Sequence, residues 1–505
     1  MKRKYLYQFC FVILGASALY GCKKSFLDVD PVGLNLEVNY YSNPDEAFTG
    51  VVAAYDPLGM ETAAGTYANK LGPLNAASDD CFAGGADGGA DMATWQAWNN
   101  YSALTPAVGP QDAFWRRNFV GVSRANIILS KLGNVPGLST ALKARYIAES
   151  KFLRAYYYFD LVRLFTNVPL FTAPIEGDAI YTQVQATPEA VYAQIEADLK
   201  DAIPDLPVNV SIASEGGRAT QGAAKALLGK VILYQNNDSR MIEAANLFDD
   251  VNKSGNVYGY ELLTSFPAIF RPDNKFNKES IFEISHTPVA NSSWNGWDVI
   301  EGNVYCQMIG ARGYSGNIYE SGWGFNPVTD ALHDFMYGDP RYQYTIADID
   351  SMVAVGAASN YEPGYQNTGF FVQKFAPLKA WRSTGGGNAE LNYPNNVIEI
   401  RLADTYLMQA EALVRGGGDL VKAAGLLNAV RARVSLLPVA ATIENIYRER
   451  RAELATEGHR WFDLVRTGRA AAALSSKGFV AGKHDRLPIP LNELSNTQLK
   501  QNPNY

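Results

Sequence analysis

Residues 443–469 constrain the fold more than any other segment, because they combine a helical apolar face with a high density of charge. Ile443, Ile446, Tyr447 and Leu454 recur at helical spacing, and Gly458 stands where a left-handed residue would end that helix. A second short helix is predicted from about residue 459 to 467. It is too apolar to stay in water, so this charged corner (residues 443–469) must pack into a large body. Its apolar side chains are Trp461, Phe462, Leu464 and Val465.

Two interpretations fit the charges of this corner. One is a functional carboxylate site, and the other is a partly buried lattice of ion pairs that sets the angle between the two helices. We favour the lattice, because opposite charges three residues apart meet on one helix face. The predicted pairs are Arg450 with Glu453, Arg460 with Asp463, and Asp463 with Arg466; Arg448, Glu449, Arg451 and Glu457 complete the charged set.

The corner contains the string ERR-x-EL-x-x-EG-x-R-x-x-DL-x-R, which begins at Glu449 and ends at Arg466. Three further stretches, residues 148–170, 401–413 and 488–505, agree with it in order along the chain. On these residues the sequence resembles the SusD/RagB family. The matching residues of the string are Glu449, Arg450, Arg451, Glu453, Leu454, Glu457, Gly458, Arg460, Asp463, Leu464 and Arg466.

The resemblance implies a scaffold of tetratricopeptide-like helix pairs on which irregular loops are mounted. It also implies a lipoprotein of the outer membrane that sits as a hinged lid over a SusC-like TonB-dependent transporter. Members of the family trap oligosaccharide, or in some cases peptide, for import. Those that bind glycans use an arc of aromatic side chains drawn from loops.

The N-terminus has the pattern of a secretory signal, predicted over residues 1–21. Lys2, Arg3 and Lys4 precede an apolar run that is too short to span a bilayer as a mature helix. Cys22 follows a lipobox-like sequence in which Tyr20 departs from the usual small residue, so Cys22 is the predicted lipidation site. The alternative is an ordinary cleaved signal with a chance cysteine. With Cys22 lipidated, residues 22–39 are predicted to be an extended tether between the lipid anchor and the folded body.

The mature chain is predicted to be a single, mainly α domain over residues 40–505. Residues 40–255 and 397–505 show helical periodicity with caps at Thr187, Thr220 and Asp419. Residues 256–396 lose that period and are rich in Gly, Asn, Tyr and Trp, with a few short strand-like runs. We therefore expect stacked helix pairs with a large, irregular, loop-rich insertion.

Charge and cysteine content limit the kinds of ligand and partner that the protein can have. A formal charge of −7 argues against a nucleic-acid binder. After loss of Cys10 and acylation of Cys22, Cys81 and Cys306 remain, and their spacing matches neither a metal site nor a redox motif. Buried free thiols and a disulfide are both compatible with that pair.

Two loops have the composition that a sugar site requires, namely flat aromatic rings beside short polar side chains. A packed loop anchor is the alternative for each tryptophan. We expect Trp98→Ala or Trp323→Ala to weaken glycan binding without unfolding the protein. The predicted ligand-binding residues are Asp79, Asp80, Trp95, Trp98, Asn100 and Tyr101 in one loop, and Trp294, Trp297, Tyr314 and Trp323 in the other.

An enzyme is the rival class, specifically a glycoside hydrolase on a helical scaffold, which needs two carboxylates at a defined separation. Nothing in the sequence marks such a pair, although Asp79, Asp80, Asp87 and Asp91 supply carboxylates. The four histidines are scattered, so neither a metal nor a cofactor is expected. We therefore expect a non-catalytic protein that captures a glycan and passes it to its transporter. Peptide uptake is the alternative ligand class.

Overall fold

The computed structural model describes residues 41–175, 177–296, 299–495 and 497–505. The predicted signal, tether and lipidation site at Cys22 lie outside these residues. The first part of the chain is helical, as predicted, and its elements are α1 (Pro44–Tyr55), α2 (Leu71–Ala77), α3 (Ala93–Asn99), α4 (Gln111–Lys131), α5 (Thr140–Phe165), α6 (Pro188–Ala202), α7 (Ile212–Glu215), α8 (Gln221–Tyr234) and α9 (Met241–Asn252). A short hairpin, β1 (Thr62–Ala63) and β2 (Thr66–Tyr67), lies between α1 and α2.

The long helices pack in series, which is the arrangement of a stacked helix-pair scaffold. Helix α4 packs on α5, α5 on α6, α6 on α8, α8 on α9, and α9 on α14 (Leu402–Arg415). Thr187, Thr220 and Asp419 cap their helices as predicted, each through a side-chain oxygen that accepts backbone N–H groups. The last part of the chain adds α15 (Leu420–Arg433), α16 (Ile443–Leu454), α17 (Arg460–Arg466), α18 (Ala470–Ala473) and α19 (Leu491–Leu494).

The loop-rich region between them holds only short elements. Strands β3 (Ser280–Ile284) and β8 (Val397–Arg401) pair antiparallel, so most of the region lies between the two strands of one sheet beside the helical scaffold. This confirms the mainly α class with a large irregular insertion. The other elements are α10 (Val304–Ile309), α11 (Asp330–Met336), α12 (Tyr342–Thr345), α13 (Ile349–Ala354), β4 (Ser315–Gly316), β5 (Ile346–Asp348), β6 (Ala358–Asn360) and β7 (Phe370–Val372), with β4 paired to β6 and β5 to β7.

Helix α5 lies at the centre of the main core, as its nearly all-apolar surface predicts. Phe152, Tyr157 and Leu161 on it are fully buried. A second core joins the loop-rich region to the scaffold, and it contains Cys81 and Cys306, both buried and free. In the described residues no helix is both long and apolar enough to cross a membrane.

The charged corner is a buried ion-pair lattice, which confirms the favoured interpretation. Helix α16 ends at Leu454 rather than at the predicted Gly458, which has a φ of 77° in the turn before α17, whereas Gly468, with a φ of 69°, follows the end of α17. Glu453 is fully buried and pairs with Arg341, Arg401 and Arg433, all from outside the corner. Burial alone would raise the pKa of Glu453, but these three guanidinium groups outweigh burial and hold that pKa well below its usual value.

The partners inside the lattice differ from those predicted by local spacing. Only Asp463 and Arg466 pair as expected, with Nε of the arginine 2.8 Å from the carboxylate. Arg450 instead pairs with Asp404 at 2.7 Å and with Asp463 at 3.0 Å. Arg460 pairs with Asp79 at 2.7 Å. Long side chains on a buried corner reach carboxylates on other elements, and these replace the neighbours on their own helix.

Candidate functional site

The aromatic residues of the first predicted loop are core residues. Trp95, Trp98 and Tyr101 are all 0% exposed. Trp98 packs edge to face against Trp461 of the charged corner, with ring centroids 5.0 Å apart, and Trp95 packs in the same way on Phe325 at 5.4 Å. The prediction that these three side chains contact a ligand is therefore wrong, because no ring face is left for one.

The two carboxylates of that loop belong to the lattice. Asp79 is held by Arg460 at 2.7 Å, and Asp80 is buried and held by Arg451 at 2.9 Å. Their predicted role in ligand contact is corrected, because both carboxylates already neutralise arginines of the charged corner. Asn100 is exposed, but its amide oxygen accepts a hydrogen bond from Ser102 Oγ at 2.7 Å.

The second predicted loop does place aromatic rings together at the surface. Trp294, 39% exposed, stacks on the half-buried Trp323, with ring centroids 5.9 Å apart and an interplanar angle of 29°. Tyr67, which sequence analysis missed, also contacts Trp323, with ring centroids 6.0 Å apart and an interplanar angle of 51°. We call Tyr67, Trp323 and Trp294 the aromatic row. Trp297 lies outside the described residues.

Tyr314 lies apart from the row. Its ring is 6% exposed and packs edge to face on Tyr319 at 5.3 Å, in a small separate apolar cluster. The structure therefore corrects its predicted ligand contact, because little of the ring is left uncovered.

Backbone hydrogen bonds hold Trp323 in place. Its N–H donates to the carbonyl of Gln307 at 3.1 Å, and the next two residues also donate to carbonyls of the 308–310 segment. Gly310 and Gly322 allow this close approach, since a Cβ on Gly322 would lie 2.2 Å from the Gly310 Cα. The ring therefore stands on a rigid base formed by two adjacent backbone segments.

Trp294 is anchored by a neighbouring loop. Its indole Nε1 donates to Glu390 Oε1 at 2.8 Å, and its backbone N–H donates to Asn388 Oδ1 at 3.3 Å. The fully buried Asn392 ties the two loops together by accepting from the Ser292 N–H and donating to the Ser292 carbonyl. These contacts orient the ring before any ligand arrives.

Tyr67 is presented by the β1–β2 hairpin. Its turn uses Ala64 and Gly65, both at positive φ, which is the geometry of a tight two-residue turn. Arg117 holds the flanking segment through the carbonyl of Ala68 at 3.1 Å. Burial, reinforced by Glu61 nearby, raises the pKa of Tyr67 to about 12, so its hydroxyl keeps its proton at neutral pH.

Polar side chains flank the row at both tryptophans. Arg312 donates to the carbonyl of Trp323 at 2.9 Å and lies 3.5 Å from the carboxylate of Asp91, and both side chains are partly exposed. At the other end, Glu390 accepts from the indole N–H of Trp294, and Asn388 accepts from the backbone N–H of Trp294 and donates to Glu390. Exposed ring faces beside short polar groups can stack on sugar rings and hydrogen-bond their hydroxyls. Among the described residues, no group of three or more His, Cys, Asp or Glu side chains is arranged to hold a metal.

We expect Glu390→Ala to weaken binding of any ligand that stacks on Trp294 by roughly 3- to 10-fold, the loss typical of one hydrogen bond. The carboxylate fixes the ring through Nε1, so its loss leaves the ring less ordered. Isothermal titration calorimetry with the bound glycan measures the effect. Glu261→Ala is the matched control, because this exposed glutamate pairs with Lys278 in a surface salt bridge. Equal affinities for both variants would show that Glu390 does not orient the ring.

Comparison with known proteins places this arrangement in a family. The model described as "SusD family" matches residues 310–505, and the model described as "Starch-binding associating with outer membrane" matches residues 63–233. A "SusD-like protein" of Bacteroides ovatus is 27% identical over 488 residues, covering 92% of this chain and 82% of its own.

Solved structures agree over nearly the whole chain. A "laminarin binding SusD-like protein" is 44% identical, with a TM-score of 0.87 over 92% of this chain and 100% of that chain. Surface glycan-binding protein A from Bacteroides thetaiotaomicron, solved with laminarihexaose, is 28% identical, with a TM-score of 0.83 over 91% of this chain and 99% of its own. With the fold and the sequence in agreement over nearly the whole chain, the chain belongs to the SusD family, which includes glycan-binding proteins associated with the outer membrane.

Proposed function

We propose that this protein captures a laminarin-type glucan on the aromatic row and does not cleave it. The observation that carries the proposal is the stack of Trp294 on Trp323 at the surface, extended by Tyr67, with polar groups on its flanks. The choice of glucan is supported by the 44% identical structure of a laminarin binder. The non-catalytic role is supported by relatives that are named as binding proteins.

The row is a short, open platform, so its affinity should be modest. Three rings and a few hydrogen bonds desolvate a limited area, and a flexible glucan loses conformational entropy when it binds. We expect a Kd on the order of micromolar or weaker. Such affinity suits a protein that must release its ligand to a transporter.

The test is a panel of polysaccharides with two readouts on the soluble chain that begins after Cys22. Affinity gel electrophoresis measures retention by laminarin, starch, cellulose derivatives and a peptide mixture, and a reducing-sugar assay measures cleavage. We expect retention by laminarin without product. Retention by starch or peptide alone would contradict the proposed ligand class, and release of reducing sugar would contradict the non-catalytic role.

We further propose that Cys22 carries a lipid anchor on the exterior face of the outer membrane, and that the protein delivers its glycan to a SusC-like TonB-dependent transporter. Support comes from the signal pattern before Cys22 and from the outer-membrane association that the matching family model names. Labelling cells with a fatty-acid analogue should mark the wild type but not Cys22→Ala. Co-purification with a TonB-dependent barrel from solubilised outer membranes tests the partner, and failure to recover one would contradict it.

A further inference from the structure

A small cavity lies next to Glu61, the residue that precedes the hairpin of Tyr67. It has a volume of about 20 Å³, and its lining includes Glu61, His286 and Asn303. Each of these residues is at most 4% exposed. A cavity of that size has room for about one water molecule.

Three polar atoms around this cavity have no hydrogen-bond partner within the protein. They are Glu61 Oε2, His286 Nδ1 and Asn303 Oδ1. Glu61 Oε1 and His286 Nε2 are 3.8 Å apart, too far for a direct hydrogen bond. Leaving buried polar atoms unpaired costs roughly 1 to 3 kcal/mol each, so native proteins rarely tolerate three of them together.

The nearby cations are already engaged. Arg117 donates to three backbone carbonyls, those of Pro57, Leu58 and Ala68. Lys70 is bonded to the side chains of Tyr156, Asp160 and Glu399. Neither donates a hydrogen bond to any of the three unpaired atoms.

The two titratable side chains that carry unpaired atoms are themselves uncharged, although Lys70, Arg117 and Glu399 also line the cavity. Burial raises the pKa of Glu61 to about 8 and lowers the pKa of His286 to about 3, so at neutral pH the carboxyl keeps its proton and the imidazole is uncharged. Neutral donors and acceptors around a small space suit a neutral ligand that both donates and accepts hydrogen bonds.

We propose that this cavity binds one internal water molecule, hydrogen-bonded to Glu61, His286 and Asn303. The water donates to Asn303 Oδ1, and it accepts from or donates to the other two according to which atom carries the proton. Three partners are the usual number for a buried structural water.

The water links the two chain segments that lead to Tyr67 and to Trp294. Glu61 precedes the hairpin of Tyr67, and its carbonyl accepts from the Ala68 N–H at 2.7 Å. His286 follows β3 at the start of the segment that leads to Trp294, and the next residue, Thr287, donates to the carbonyl of Glu301 at 2.8 Å. The water therefore connects the start of the Tyr67 hairpin to the start of the segment that leads to Trp294.

A crystal structure of the mature chain that orders internal solvent tests the proposal. We expect one peak about 3 Å from each of the three atoms, retained in Glu61→Gln and lost in Glu61→Met, whose apolar side chain fills the space. A dry cavity in the wild type would overturn the proposal. So would a peak with ligand distances of about 2.3 to 2.6 Å, since these indicate a cation. The result is independent of which glycan binds.

Thermal melts of the wild type and Glu61→Gln provide a second test. The folded chain holds the Glu61 proton up to about pH 8, whereas the unfolded chain releases it near the ordinary value of 4.5. The wild type should therefore lose Tm relative to Glu61→Gln as pH rises through this window, and the difference should stop growing above pH 8. Parallel curves would mean that Glu61 is not the neutral hydrogen-bonding group that the water site requires. The titratable and charged neighbours of Glu61 are Tyr67, Lys70, Arg117, His286, Cys306 and Glu399, and Lys275 acts on His286.

Discussion

Glu453→Ala is expected to lower the free energy of unfolding by about 3 to 5 kcal/mol, the typical cost of removing one partner from a buried ion pair. Glu453 is fully buried and lies between Arg341, Arg401 and Arg433, which are themselves at most 3% exposed. Each arginine keeps another carboxylate, but the buried cluster gains a net positive charge that water cannot screen. Urea unfolding followed by circular dichroism measures the loss.

Glu444→Ala is the matched control in the same corner. Glu444 is exposed and forms a two-pronged pair with Arg469 at the surface, where solvent screening leaves ion pairs with little net effect on stability. We expect its unfolding midpoint to match that of the wild type. Equal midpoints for the two variants would show that the lattice does not stabilise the fold.

Trp323→Ala is expected to weaken glucan binding by roughly 30-fold, about 2 kcal/mol, as for a central aromatic anchor of an interface. Trp323 contacts both other rings of the aromatic row, so its removal separates Tyr67 from Trp294. Because the ring is only half-buried, the accompanying loss of stability should be small, about 1 kcal/mol. Calorimetric titration with laminarin or laminarihexaose measures the affinity.

Trp98→Ala should show the opposite pattern. Its ring is 0% exposed and packed against Trp461 and Phe114, so its removal opens a large cavity and costs about 3 to 5 kcal/mol of stability. Sequence analysis assigned both tryptophans to the ligand, and the structure separates them. A Trp98→Ala protein of wild-type stability with lost binding would contradict the core assignment.

Local sequence signals determined the helices and their ends. Thr187, Thr220 and Asp419 cap the helices predicted from them, because a cap depends only on the few residues that follow it. The end of α17 before Gly468 follows from the same local chemistry, since glycine adopts positive φ without strain, whereas α16 ends at Leu454 and not at the predicted Gly458. The string of charged residues in that corner also identified the family.

Only the tertiary structure decided which aromatic side chains face outward. Trp98 and Trp323 come from stretches of similar composition, although Trp98 lies on helix α3, and burial depends on which distant segments pack against each ring. Tyr67 was missed for the same reason, since nothing in its hairpin shows that Trp323 will lie beside it; the Ala64–Gly65 turn could have revealed only the hairpin. Distant segments also decided which carboxylates the arginines of the charged corner pair with. Sequence spacing specifies neighbours along a helix, whereas a ligand platform and a buried lattice are built from residues tens to hundreds of positions apart that only the folded chain brings together.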